Sequence, residues 1–216
     1  MFKEELNLEL LLEEFLFDLK VQNYSERTSA TYMYNSKVFI NYLKDMDVLN
    51  ADEIRTAHLK GLIQTLQAKG FKATYINTIL KCVRQFFHYM VREGYVPSNP
   101  AEKVSLLKED KEVIQTFTDE EVIGMLNAYS YRTYLEARNK LIIAFFVDTG
   151  IRLSELINLD ETWIEDSVIR VFGKGSKWRY VPNSPSLKKM ILRFNRIRDG
   201  YFSRIGKKES NYFLNR

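Results

Sequence analysis

The most constraining feature of this chain is an apolar run that ends in a glycine turn and leads into a basic hairpin. The run is LIIAFFV at residues 141–147. It is apolar on every side of a helix, so it is expected at the centre of a core. Gly150 stops it, and TGIRLSEL at 149–156 turns it into a second helix with Arg152 at the turn. VIRVF at 168–172 and KWRYVP at 177–182 then read as two strands joined by Gly-Lys-Gly-Ser, with Lys174 between the two glycines. Two cations held at a turn and a hairpin tip suit phosphate. A guanidinium fork spans two non-bridging oxygens and keeps its charge at any working pH. A lysine on a tip reaches into a groove and delivers a proton or a charge to a leaving oxygen. The plainer alternatives are an exposed Arg152–Glu155 pair, worth about 0–1 kcal/mol, and a solvated turn lysine. Lys177 and Arg179 extend the basic hairpin as candidate contacts to a phosphate backbone, with Trp178 and Tyr180 interleaved. The glycines lack the Gly-x-x-x-x-Gly-Lys-Ser/Thr spacing of a nucleoside-triphosphate loop.

Upstream, four helices are expected near residues 5–22, 26–45, 54–68 and 72–93. Leu8, Leu11, Leu12, Phe15, Leu16 and Leu19 form the apolar face of the first. Ser25 caps the second and Gly70 ends the third. The fourth has Tyr75, Ile76, Ile79, Val83, Phe86, Phe87 and Met90 on one face. Asn77, Lys81, Arg84 and His88 line another, a polar stripe suited to a phosphate backbone or simply a solvated helix face. These helices make an all-α unit over residues 1–94. Gly94, Pro97, Pro100 and the charged KEDKEV at 108–113 mark residues 95–116 as a linker. A second unit over 117–216 opens with the capping box Thr118–Glu121, turning Val122, Ile123 and Leu126 inward. TWI at 162–164 reads as a further short strand, and Ser184 with Pro185 opens a last helix. Its face of Leu187, Met190, Ile191, Phe194 and Ile197 turns inward, while Lys188, Lys189, Arg193 and Arg196 face out. The tail YFLNR at 212–216 reads as the entry to a strand or turn. The fold class is mainly α with a small β-hairpin.

Composition narrows the function. The net charge is only +4, but residues 170–216 hold 13 Lys+Arg against 2 Asp+Glu. That density favours a polyanion partner, with a plain solubilising surface as the alternative. No apolar run reaches the length of a membrane span. The acidic start MFKEELNLEL is not a secretory signal, and the single cysteine, Cys82, points to an intracellular, cytoplasmic chain. One cysteine and two histidines, His58 and His88, at unrelated spacing do not make a zinc site, so no metal is expected.

Taken in order, TGIRLSEL and GKGSKWRYVP after a four-helix unit resemble the tyrosine recombinases, the phage-integrase and Xer type of site-specific DNA recombinase. The resemblance extends from about residue 8, and includes Ser25…Thr31-Tyr32 at the second helix and NPAEKV at 99–104. It implies an N-terminal core-binding (SAM-like) domain followed by the first part of an α+β catalytic domain, with double-stranded DNA as partner. It implies that Arg152 binds the scissile phosphate and stabilises its growing charge. Lys174 would then be the general acid toward the leaving sugar oxygen, and Glu155 would support the arginine by hydrogen bonding. No cofactor is needed, because a covalent phosphotyrosine conserves the bond energy. The family's His-x-x-Arg box, later His or Trp, and nucleophilic tyrosine have no counterpart here. No histidine follows His88, and Tyr201 and Tyr212 read as core or surface aromatics. The resemblance therefore leads to the expectation of a recombinase shortened before those boxes and unable to cleave by itself. A DNA-binding regulator that occupies recombination sites, or an inactive remnant, are the alternatives. The free chain is expected as a monomer. The resemblance does not distinguish a phage, transposon or chromosomal setting.

Overall fold

The computed structural model describes residues 7–110, 113–173, 175, 177–206 and 212–213. The chain divides into two compact units, Met1–Glu112 and Val113–Arg216.

The first unit is four helices: α1 (Leu8–Val21), α2 (Glu26–Lys44), α3 (Thr56–Ala68) and α4 (Ala73–Arg92). Their starts are fixed locally. Asn7 accepts the Glu9 N–H at 2.8 Å, and Ser25 accepts the Thr28 N–H at 3.2 Å. α4 packs against the other three. Phe15, Phe39, Phe86, Phe87 and Met90 are each at most 1% exposed, and the Phe15 and Phe86 rings lie 5.5 Å apart. Each such burial contributes roughly 1.5–3 kcal/mol. Tyr75 departs from the expected face: it is 39% exposed and packs on Phe71, 5.0 Å ring to ring.

The expected linker is, over much of its length, part of this unit. Val96, Ala101 and Val104 are at most 5% exposed and join its core, with Leu107 packed against it. Polar side chains of α3 and α4 hold this strap. Asn77 Nδ2 donates to the Leu107 carbonyl at 2.9 Å, and its Oδ1 accepts the Leu107 N–H at 2.8 Å. Arg84 donates to the carbonyls of Ala101 (3.3 Å) and Val104 (2.8 Å). The Thr56 hydroxyl donates to the Pro100 carbonyl at 3.2 Å. An irregular segment can be buried only if its backbone polar groups are satisfied, and these side chains do that. The charge of 108–113 suggested an open connector, but the apolar residues at 96, 101, 104 and 107 decide where the strap goes.

The second unit holds α5 (Asp119–Asn127), α6 (Tyr134–Thr149), α7 (Leu153–Ile157), the antiparallel strands β1 (Val168–Gly173) and β2 (Lys177–Pro182), and α8 (Pro185–Ile205). α6 and α8 pack on each other, and Phe145, Leu141, Ile169, Val171 and Phe194 are fully buried between them and the hairpin. The capping box of α5 forms in both directions, Thr118 N–H to Glu121 Oε2 at 2.8 Å and Glu121 N–H to Thr118 Oγ1 at 3.2 Å. α5 nevertheless lies at the rim: Val122 and Leu126 are half-buried and Ile123 is 57% exposed. α6 is not covered all round. Ile142, Ile143 and Phe146 are half-buried and Val147 is 53% exposed, because the neighbours described cover one side only. TWI does not form a strand. Asp160 accepts the Thr162 N–H and hydroxyl at 2.8 and 2.6 Å, which closes a 3-10 turn at Glu161–Trp163. Of the tail, Tyr212 and Phe213 are described. Tyr212 is 1% exposed and donates its hydroxyl to Asn195 at 2.6 Å.

Asn77→Ala leaves both Leu107 backbone groups without a partner. It is expected to cost about 1–3 kcal/mol and to accelerate amide exchange at Leu107, whereas exposed Lys81→Ala stays within about 0.5 kcal/mol. Urea denaturation and hydrogen exchange on the two variants check this; equal effects would contradict the strap.

Candidate active site at the arginine turn

The turn is built by three devices. Gly150 takes φ +60°, a left-handed conformation that ends α6 at little steric cost. The Thr149 hydroxyl donates to the Phe145 carbonyl at 2.7 Å and accepts the Ile151 N–H at 3.2 Å. Ile151 and Leu156, each 3% exposed, then anchor the two sides of Arg152 in the core. Arg152 becomes the N-cap of α7, and its N–H donates to Glu155 Oε2 at 2.9 Å.

Glu155 is the centre of the site. The residue is 2% exposed. Its Oε1 accepts from Arg152 Nη1 at 3.0 Å. Arg179 grips the other side, Nη2 to Oε2 at 2.7 Å and Nε to Oε1 at 3.4 Å. The pair expected at the surface is thus a buried carboxylate held by two arginines. The Arg179 hydrogen bonds, against the opposing cost of desolvation and together with the Arg152 N–H and guanidinium, hold the Glu155 carboxyl down at about 2. Arg152 is 64% exposed at its side chain, so one edge of its fork is braced while the rest faces solvent.

The hairpin closes over this carboxylate. In the register, Val171 lies opposite Arg179 and Gly173 opposite Lys177. Directly opposed residues share a face, so Arg179 points inward with buried Val171 and Val181. In this structure its guanidinium contacts Glu155, a partner not expected from the sequence, and its side chain is 38% exposed. A Cβ at Gly173 would overlap Glu155 Oε1, so this glycine supplies room for the carboxylate. The outward face carries Arg170, Phe172, Trp178 and Tyr180. Trp178 is 51% and Tyr180 66% exposed, and Trp178 packs against Phe172 and Trp163. Lys177 is exposed. Lys174 lies outside the described residues.

The α4 stripe is largely under the strap. Asn77 is 1% exposed and Arg84 half-buried, both bonded to the strap as above. His88 is exposed beside Glu102, Nδ1 to Oε1 3.6 Å. Lys81 alone of the four is exposed with no such contact to the strap described. On α8, Lys189, Arg193 and Arg196 are exposed as expected, and Arg193 lies over the Tyr131 ring at 3.9 Å. Lys188 is half-buried and paired with Asp166. Burial raises the Tyr212 hydroxyl above its ordinary range, and it sits in the core. Among the described residues no group of three or more His, Cys, Asp and Glu is placed to hold a metal, and no helix is long and apolar enough to cross a membrane.

The alternation of β2 held the signal for Arg179: it is in phase with apolar Val181 and out of phase with Trp178 and Tyr180. Gly173 carried no separable signal, since a hairpin glycine reads first as a turn residue.

The chain matches the phage integrase N-terminal SAM-like domain over residues 12–94 and the phage integrase family over residues 115–214. It is 29% identical over 216 residues to the tyrosine recombinase XerC of Thermodesulfovibrio yellowstonii, covering 97% of this chain and 70% of that protein. It is 29% identical to XerD of Haemophilus influenzae, covering 81% of this chain and 58% of that protein. It is 30% identical to XerD of Chlorobaculum tepidum, covering 89% and 65%. Among solved structures, a lambda integrase dimer bound to a COC′ core site superimposes with a TM-score of 0.68 at 17% identity, covering 95% of this chain and 65% of that one. The Tn1549 transposon integrase in complex with a circular intermediate DNA gives 0.66 at 14%, covering 98% and 70%. These likenesses show an integrase fold.

A carboxyl depressed in the folded state stabilises fully above its unfolded pKa near 4.5 and loses that contribution as pH falls toward about 2. The loss is at most about 3 kcal/mol. Glu155→Gln is therefore expected to flatten the fall in stability across that window, read by urea denaturation at stepped pH. The other depressed carboxyls, Glu9, Glu120 and Asp160, remain in both proteins and cancel in the comparison. Parallel curves for the two proteins would contradict the buried clamp.

Proposed function

The chain belongs to the tyrosine recombinase family, and from that premise we propose that it binds double-stranded DNA at recombination sites, with Arg152 seated on the phosphate at which strand exchange occurs. The observation that carries this reading is the state of Arg152. It is positioned from below by a buried carboxylate yet 64% exposed above, the arrangement a fork needs to meet an anion. Preorganised donors of this kind act without reorganising as charge grows on a phosphoryl group. The positive balance of residues 170–216 and the exposed Lys177 supply long-range attraction. Lys174, by its resemblance to the family's hairpin lysine, is assigned the proton for the leaving sugar oxygen, and Lys81 an outer phosphate contact.

These 216 residues contain no histidine after His88, so they offer no His-x-x-Arg box to complete the phosphate clamp. Tyr212, buried and hydrogen-bonded, is not a nucleophile. The chain by itself therefore occupies DNA without cutting it. Cleavage and rejoining of the integrase type require the remaining groups on the same or another polypeptide.

The test is duplex binding as a function of salt. Log K is expected to fall linearly with log salt, and Arg152→Gln to reduce the slope by about 0.9, the contribution of one neutralised phosphate. No covalent protein–DNA adduct is expected. Undetectable binding at on the order of 50 mM salt, or an unchanged slope in Arg152→Gln, would overturn the reading.

A further inference from the structure

We infer that Arg179 is a positioning residue that neutralises Glu155 from the protein side, so that the charge of Arg152 stays available to a phosphate. This deepens the reading of Arg152 as a phosphate seat and rests on it.

Glu155 carries one negative charge and is 1% exposed at its side chain, so it needs a close positive partner. Were Arg152 the only guanidinium there, the two would form a neutral pair. An incoming phosphate would have to compete with a carboxylate for the same cation. With Arg179 in place the cluster holds two guanidinium groups and one carboxylate, and its net charge is +1. The geometry divides the work accordingly. Arg179 makes the two-pronged contact and is 38% exposed. Arg152 makes one side-chain contact and is 64% exposed. Strand register points Arg179 inward, and the missing Cβ of Gly173 lets β1 approach the carboxylate closely enough for β2 to deliver it. The contact joins residues 24 positions apart, so it also ties the hairpin to the arginine turn. The hairpin that carries Lys174 is thereby referenced to the residue that holds the phosphate.

A charge-neutralising role and a direct phosphate contact make opposite claims about a double-mutant cycle. The 216-residue chain is labelled with ¹⁵N-arginine and titrated with inorganic phosphate, following the side-chain Nε–Hε signal of Arg152. Arg179→Gln is expected to weaken phosphate at Arg152 by roughly fivefold to tenfold, the scale of one nearby unscreened charge. Adding Glu155→Gln to Arg179→Gln is expected to return part of the affinity lost in Arg179→Gln, because the charge that needed neutralising is gone, while loss of the brace under Arg152 keeps it below that of the unaltered chain. A purely structural role would act through the fold, so urea denaturation of the same variants accompanies the titration and phosphate affinity is compared only where the chain is fully folded. Arg179→Lys keeps the charge and is expected to keep most of the affinity, which covers a folding failure of Arg179→Gln. Three results overturn the inference: an equal loss from Arg179→Gln with and without Glu155, wild-type-like phosphate binding in Arg179→Gln, or no response of Arg152 to phosphate in the unaltered chain. The duplex titration separates this from the functional reading. Rescue in the cycle without duplex binding leaves the charge balance standing and removes the proposed DNA binding. Duplex binding without rescue does the reverse.

Discussion

The second unit depends on a single buried negative charge. Glu155 closes the first turn of α7, braces Arg152, receives Arg179 across the hairpin and occupies the space that Gly173 leaves open. Each contact is individually modest. Together they make the carboxylate expensive to protonate or to lose, because removing one partner leaves the others desolvated without compensation. A two-stranded hairpin is marginal in isolation. This one is held by apolar burial of Ile169, Val171 and Val181 and by an ionic contact at the strand end nearest the turn.

The first unit solves a different problem with neutral groups. Its strap has no regular secondary structure, yet its apolar residues enter the core. Asn77 offers a donor and an acceptor to the backbone of Leu107, in effect a one-residue strand partner supplied by a helix. Arg84 uses its donors on two carbonyls. Two residues of the polar stripe on α4 thus serve chain packing.

How far the sequence could be read follows from the range of the interactions. Helices α1 to α4 are marked by local periodicity, and their expected spans fall within a few residues of the observed ones; α8 starts where Ser184 and Pro185 placed it. The hairpin was legible from alternation and the glycine turn. What escaped was decided by partners distant in sequence. Asn77 looked like a surface residue because its partner lies 30 positions away, and the grip of Arg179 on Glu155 escaped because the two lie 24 positions apart. TWI failed as a strand because Asp160 closed a local turn that competes with extension. The apolar run of α6 indicated burial correctly for Leu141, Ala144 and Phe145, but not for Val147, whose exposure depends on what packs beside it.

The most direct measurement of the central claim is a structure of this chain on duplex DNA. The account expects the outer edge of the Arg152 guanidinium within about 3 Å of a phosphate oxygen. Glu155 should still be gripped by Arg179, and the hairpin tip should lie toward the same phosphate. A complex in which the backbone phosphates run elsewhere, with Arg152 left against Glu155 in solvent, would contradict it.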